Sequence, residues 1–498
     1  MDYGQRRYCG VLMHLTSLPG KYGTGTMGFD SYRFVDFLNH GGQTLWQVLP
    51  MCPTGHGNSP YQGLSAFAGN PLLIDFDLLI MEGDLTNEEI GYVPDFPVSQ
   101  VDFDTLIPWK LEILNRAAHN FFNRNDERIH EFNNFLEENQ EWLDDFTLFA
   151  ALRIAYENKS WKDWDIHLKI RHPEALAEAR HRLAVEIREI EYQQFQFFRQ
   201  WKKLKEYANQ KNVYIIGDIP IFVAYDSSDV WVHQEQFFLD DDCNPTVVAG
   251  VPPDYFSADG QRWGNPLYKW DVMQSTGYEW WIKRIQASIE LYDLFRIDHF
   301  RGFEAYWEIP AYEKTARNGR WVPGPAWHFF DAMRNAFGNL PFIAEDLGII
   351  TEPVEKLRDD FNLPGMKVLQ FAFDGKMDNP YLPHNHEENS IVYTGTHDND
   401  TTNGWWDSCT DKERQTLRNY LGREPQSPAW EFIRLAVSSV SNYCVINFQD
   451  LVCLKTEHRM NIPGTVENNW LFRASPDMFH PDLAGTLNEL VNTYGRNG

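Results

Sequence analysis

Eight short apolar runs, each followed by a polar or glycine-bearing loop and then by helical patterning, constrain this chain more than any other feature. They are Gly10–Leu15, Thr44–Leu49, Val213–Asp218, Leu294–Asp298, Phe342–Glu345, Met366–Phe371, Ile391–Thr396 and Cys444–Phe448. A half-exposed strand alternates apolar and polar residues, whereas a continuous apolar run needs cover on both faces. Helices between such strands impose right-handed parallel crossovers, and eight such units close into a barrel. The sequence therefore reads as α/β, a (β/α)8 TIM barrel with inserted helical subdomains. Only about fifty residues follow the last run, too few for a C-terminal β-sandwich.

The spacing of the runs is uneven. Roughly 160 residues separate Leu49 from Val213, far more than one helix and its loops require. Within that stretch Leu183, Ile187, Ile190, Phe197, Trp201, Leu204 and Ala208 keep 3/4 spacing, with Gln194 a single polar interruption. Leu111–Phe122 and Phe146–Tyr156 also read as amphipathic helices. The expected organisation is one barrel over 1–498, a largely helical insertion near 75–210, and a second insertion near 222–269. The second is rich in Gly, Pro and aromatic residues and follows the third strand.

Charge narrows the partners. Lys plus Arg number 44 against 71 Asp plus Glu, a net charge of −27, which repels phosphate backbones and anionic lipid. Neither nucleic acid nor a membrane is an expected partner; the sequence leaves the oligomeric state open. The N-terminus lacks a signal-peptide core, and no long uncharged apolar stretch appears, so a cytoplasmic protein is expected. Cys9, Cys52, Cys243, Cys409, Cys444 and Cys453 show no metal-type spacing and read as reduced thiols. Aromatic residues reach 15%. Most must be core, but the surplus suits flat neutral ligands such as sugar rings.

In a parallel barrel, reactive groups gather where the strands run out. Asp218, Asp298, Glu345 and the pair His397–Asp398 fall at such ends. Alternation along the fourth run puts Leu294, Arg296 and Asp298 on one side and Phe295 and Ile297 on the other. With the first side inward, Arg296 lies beside Asp298 and keeps that carboxylate ionised, as a nucleophile requires. Glu345 ends an otherwise apolar run. Burial and acidic neighbours should raise its pKa, as a general acid requires. Two carboxylates with opposed protonation needs mark glycosidic-bond cleavage. Taken singly, a strand-end carboxylate is more often a helix cap or an ion-pair partner. Dinucleotide, phosphate-loop, zinc-protease and serine-hydrolase motifs are all missing. A cation shared by Asp298, Asp218 and Asp398 is an open alternative, without an EF-hand-like loop to support it.

The same segments resemble the 4-α-glucanotransferase family, relatives of the α-amylase superfamily that lack its C-terminal sandwich. The resemblance runs nearly end to end. It is carried by HLTSLPGKYGTGTMG, WQVLPMCPTGHGNSPYQGLSAFAGNP, GDIPIFVAYDSSDVW, VAGVPPDYFSADGQRWGNPLY, FRIDHFRGF, IAEDLG, YTGTHDNDT and RMNIPGT. It implies Asp298 as nucleophile, Glu345 as acid and then base, and Asp398 as the group binding the hydroxyls of the reacting sugar. It also implies Arg296 orienting Asp298, His299 and His397 hydrogen-bonding that sugar, Tyr61 stacking on it, and Asp218 in the supporting network. Tyr255, Phe256 and Trp263 would line the acceptor side; Pro252–Pro253 stiffen the loop that carries the first two. Neither cofactor nor metal is implied. The substrates would be maltooligosaccharides, maltodextrin, amylose and glucose. Two rival readings share these residues: a retaining α-1,4-glucan hydrolase, and a catalytically silent glucan-binding protein.

Overall fold

The computed structural model describes residues 6–124, 127–253 and 257–496. Eight parallel strands close into a barrel: β1 (Tyr8–Leu12), β2 (Leu45–Gln47), β3 (Tyr214–Pro220), β6 (Leu294–Asp298), β9 (Phe342–Ala344), β10 (Gly365–Val368), β11 (Ser390–Tyr393) and β12 (Tyr443–Asn447). Their spatial order follows the chain, and β12 returns to pair with β1. Every one of the eight apolar runs contributes a barrel strand. The runs Gly10–Leu15 and Met366–Phe371 overshoot, because their last residues turn into single 3-10 turns at Leu15–Ser17 and Leu369–Phe371.

Period-two alternation divides each strand between two cores. Tyr8, Leu12, Leu45, Ile216, Leu294, Ile343, Met366, Val368, Ile391, Tyr393, Tyr443 and Val445 fill the barrel. Cys9, Val11, Trp46, Ile215, Phe295, Ile297, Cys444 and Ile446 point outward into the helix layer. This double burial is why the runs are continuously apolar.

Between β2 and β3 the chain is helical, including Phe103–Asn123, Ile129–Ala155 and Ala184–Gln210. The last of these packs on both neighbours and on β3. Its polar interruption has a cause. The Gln194 side chain accepts from the Gly69 amide (2.8 Å) and donates to the Gly69 carbonyl (2.9 Å). Gln200 does the same with the backbone of Asp75 (2.8 and 3.2 Å). Two buried amides thus hold the loop that leaves β2, and that loop carries Tyr61.

A second sheet of four antiparallel strands follows β3, in the order β5 (Gln261–Pro266), β4 (Val247–Val251), β7 (Ala305–Pro310), β8 (Arg320–Pro323). Half of it comes from beyond Asp298, so the segment 222–269 supplies only two of its strands. Sequence periodicity is blind to such pairing, which joins segments far apart in the chain. After β12 the described residues are helical or irregular, ending in the helix Pro481–Tyr494. Among the described residues no helix is long and apolar enough to cross a membrane.

Candidate active site

Leu294 belongs to the barrel interior and Phe295 to the outer layer, so Arg296 and Asp298 face inward, as alternation requires. Arg296 is buried and forms the hub of the site. It contacts Asp218 Oδ2 through Nε and Nη2, both at 2.9 Å, and Asp298 Oδ1 through Nη2 at 2.8 Å. The cation between Asp218 and Asp298 is thus a guanidinium. Among the described residues no cluster of three or more His, Cys, Asp or Glu side chains is placed to hold a metal ion.

The two carboxylates on Arg296 differ in access. The Asp218 side chain is fully buried, while that of Asp298 is 31% exposed at the strand end. Burial raises Asp218 to about 7, against the pull of Arg296 and of the Tyr61 hydroxyl. Tyr61 donates to Asp218 Oδ2 (2.8 Å) and lies 3.3 Å from Arg296 Nη2. Asp218 is thus enclosed, and Asp298 is the more accessible of the two carboxylates on Arg296.

Directly after Asp298 the backbone turns into the left-handed region at His299 (φ 54°). This turn aims the His299 amide at Glu345 Oε2 (2.8 Å), and Oε1 accepts from the Leu347 amide (3.1 Å). Glu345 stands one residue beyond β9, the neighbour of β6. Burial and then the Asp298 charge raise its pKa to about 8, although Arg296 and the two amides oppose the shift. Neighbouring strands thus present one carboxylate in contact with a guanidinium and one held protonated at neutral pH. That pairing is what acid-assisted cleavage of a glycosidic bond requires.

The half-buried His299 ring is edge-on to Trp263 of β5 (4.8 Å), so the second sheet reaches the site. Among the described residues its buried Nε2 has no partner, and burial lowers its pKa to about 4, leaving the ring neutral. His397 stacks on Tyr61 (5.0 Å, 14°), and its Nε2 stands 3.3 Å from Asp398 Oδ1. Burial lowers His397 as well, despite Asp398. A continuous chain of contacts therefore runs Asp398–His397–Tyr61–Asp218–Arg296–Asp298, with Glu345 attached through the His299 amide. Tyr255 and Phe256 lie outside the described residues.

Four groups join the site that sequence reasoning gave no role. Asn461 Nδ2 donates to Asp398 Oδ1 (2.6 Å), and Arg459 Nη2 donates to the Asp398 carbonyl (2.8 Å). Both lie within RMNIPGT, so the motif pointed to them without assigning them work. Trp470 packs on Tyr61 (5.8 Å) and His397 (6.0 Å). His14, beyond the end of β1, accepts from the Leu49 amide at Nδ1 (3.3 Å), and burial lowers it to about 3. Its position past a strand end was the available signal.

A parallel eightfold barrel with a guanidinium-bound carboxylate and a buried, proton-holding carboxyl at adjacent strand ends defines a class of enzymes that break and remake glycosidic bonds. Within that class the chain belongs to the 4-alpha-glucanotransferase family, whose model matches residues 13–478. The 4-alpha-glucanotransferase of Synechocystis sp. is 47% identical over 496 residues, covering 99% of this chain and 98% of that protein. That of Thermus thermophilus is 47% identical over 499 residues, covering 98% and 99%. The amylomaltase of Streptococcus agalactiae, solved in complex with acarbose, superposes with a TM-score of 0.96 at 41% identity, covering 99% of this chain and 100% of that one.

Proposed function

We propose that the chain moves α-1,4-glucan segments from a donor to an acceptor glucan or glucose by a retaining double displacement, with Asp298 and Glu345 as the reacting pair. The observation that carries this reading is their juxtaposition: an accessible carboxylate on Arg296 beside a carboxyl held protonated up to about pH 8.

In the first step Asp298 attacks the anomeric carbon, and the bond to the leaving oxygen breaks as that oxygen takes the Glu345 proton. Ester formation removes the Asp298 charge, one of the causes of the raised Glu345 pKa. Glu345 is then the stronger acid and persists as carboxylate, ready to take a proton from the incoming hydroxyl. The acceptor oxygen attacks the same carbon, Asp298 leaves, and two inversions give retention. Asp398, fixed by Asn461 and His397, binds hydroxyls of the reacting sugar; Tyr61 and His299 complete its cradle. Asp218 and Arg296 hold Asp298 in line.

Transfer wins over hydrolysis when an oriented acceptor outcompetes water, and orientation can supply effective molarities of ~10⁵ M or more. Trp263, against His299, supplies an apolar wall for such an acceptor. The working unit is one catalytic barrel with excursions near 75–210 and 222–269, located in the cytoplasm and acting on maltooligosaccharides, maltodextrin and amylose.

Maltotriose tests the proposal. A transferase yields glucose together with longer oligomers, and Asp298→Asn abolishes both. Products that are only shorter than the donor would overturn transfer, and turnover retained in Asp298→Asn would overturn the assignment of the nucleophile.

A further inference from the structure

The first and last strands close the barrel, and their register sets two cysteines side by side. Cys9 on β1 lies opposite Cys444 on β12. Both face the outer layer, both are fully buried, and both are free thiols. Opposed residues on neighbouring strands stand about 4.8 Å apart, inside the roughly 4.4–6.8 Å Cα separation that a disulfide spans. The register therefore places the two Cα atoms within the range a disulfide spans.

Charge supplies a second, independent observation. Arg496 is fully buried near the end of the chain. Its guanidinium donates to the carbonyls of Val437 (2.6 Å), Ser439 (2.6 Å) and Tyr8 (3.1 Å). Arg7 donates to the Ser439 carbonyl as well (2.8 Å). Among the described residues, neither guanidinium has a carboxylate among its hydrogen-bond partners. Cys444 is the ionisable group that feels both arginines. Burial works against its thiolate, but the Cys9 thiol, Arg496 and Arg7 outweigh burial and bring Cys444 below the ordinary thiol range. The neighbouring Cys444 sulfur and then burial hold Cys9 well above that range. One nucleophilic sulfur therefore faces one protonated resolving sulfur.

We propose that Cys9 and Cys444 form a dithiol–disulfide couple, oxidised by hydrogen peroxide, that reversibly locks the first barrel strand to the last. The Cys444 thiolate attacks one peroxide oxygen, the O–O bond breaks, and the departing hydroxide takes a proton to become water. Cys444 is left as a sulfenic acid. The Cys9 sulfur then attacks the Cys444 sulfur, its proton leaves with the sulfenic hydroxyl as a second water, and the S–S bond forms. Two thiols lose two electrons and one peroxide gains them. Entry of peroxide requires local opening of the seam beneath Arg496, so the reaction is slow beside that of an exposed thiolate.

The test uses the intact protein. Folded protein is treated with hydrogen peroxide, remaining thiols are alkylated in denaturant, and the digest is read by mass spectrometry. The expected product joins the Cys9 and Cys444 peptides, lighter by two hydrogen atoms and separated again by dithiothreitol, while Cys243 alkylates as before. In Cys9→Ala, a sulfenic-acid trap labels Cys444. Full alkylation of both Cys9 and Cys444 after peroxide would overturn the couple.

Discussion

Replacing Asp298 by Asn imitates, in charge, the moment at which that carboxylate becomes an ester, and it should change the acidity of Glu345. Retaining chemistry places the two carboxyl groups about 5.5 Å apart, where an effective dielectric of ~20 gives about 3 kcal/mol of repulsion. That corresponds to about 2 pH units at ~1.36 kcal/mol per unit. Arg296 already holds Asp298 at 2.8 Å and screens part of its charge. A fall of about 1–2 units from the value near 8 is therefore expected. Burial, the first cause of the raised value, persists in the variant, so Glu345 stays above its ordinary 4.5. The assay is a ¹³C NMR titration of glutamate side-chain carboxyls from about pH 4 to about pH 10, the resonance assigned by its loss in Glu345→Gln. An identical midpoint in wild type and Asp298→Asn would refute the electrostatic switch between acid and base. A wild-type midpoint near 4.5 would refute the assignment of Glu345 as acid. The sign carries over to kinetics: the acid must be protonated, so wild-type kcat/KM falls as pH rises through about 8.

Asn461→Ala removes the 2.6 Å donor to Asp398 Oδ1. A hydrogen bond to a charged group contributes roughly 1.5–3 kcal/mol, so kcat/KM on maltotriose should fall about ten- to a hundredfold with the fold intact; a loss below about threefold would show that Asp398 is held by other means. Lys110 is fully buried in the helical region, its ammonium 4.9 Å from the centre of the Phe76 ring and, among the described residues, without a hydrogen-bond partner. Burial lowers it from 10.5 to about 7. The unfolded chain then binds the extra proton between those values, so stability rises with pH across that window, and below about 7 the full cost is present. Lys110→Met should stabilise the protein by a few kcal/mol near neutral pH and flatten that slope in urea titrations. Equal slopes in the two proteins would refute the buried-lysine account.

The sequence by itself determined the barrel and pointed to its strand-end carboxylates, because strands buried on both faces leave continuous apolar runs and barrel chemistry collects where those runs end. It placed Arg296 and Asp298 on one face by period-two alternation alone, and it marked Glu345 as the odd charge closing an apolar segment. Tertiary structure decided what depends on contacts between distant segments. The left-handed turn at His299, which aims an amide at Glu345, is not a periodic signal. Asn461 and Trp470 reach the site only because the chain after β12 folds back over the barrel mouth. The second sheet takes β7 and β8 from beyond Asp298, and the facing of Cys9 and Cys444 follows from closing the first strand against the last. Local periodicity reports burial, residue by residue. Which buried or half-buried groups meet is set by how the closed barrel brings its ends and loops together.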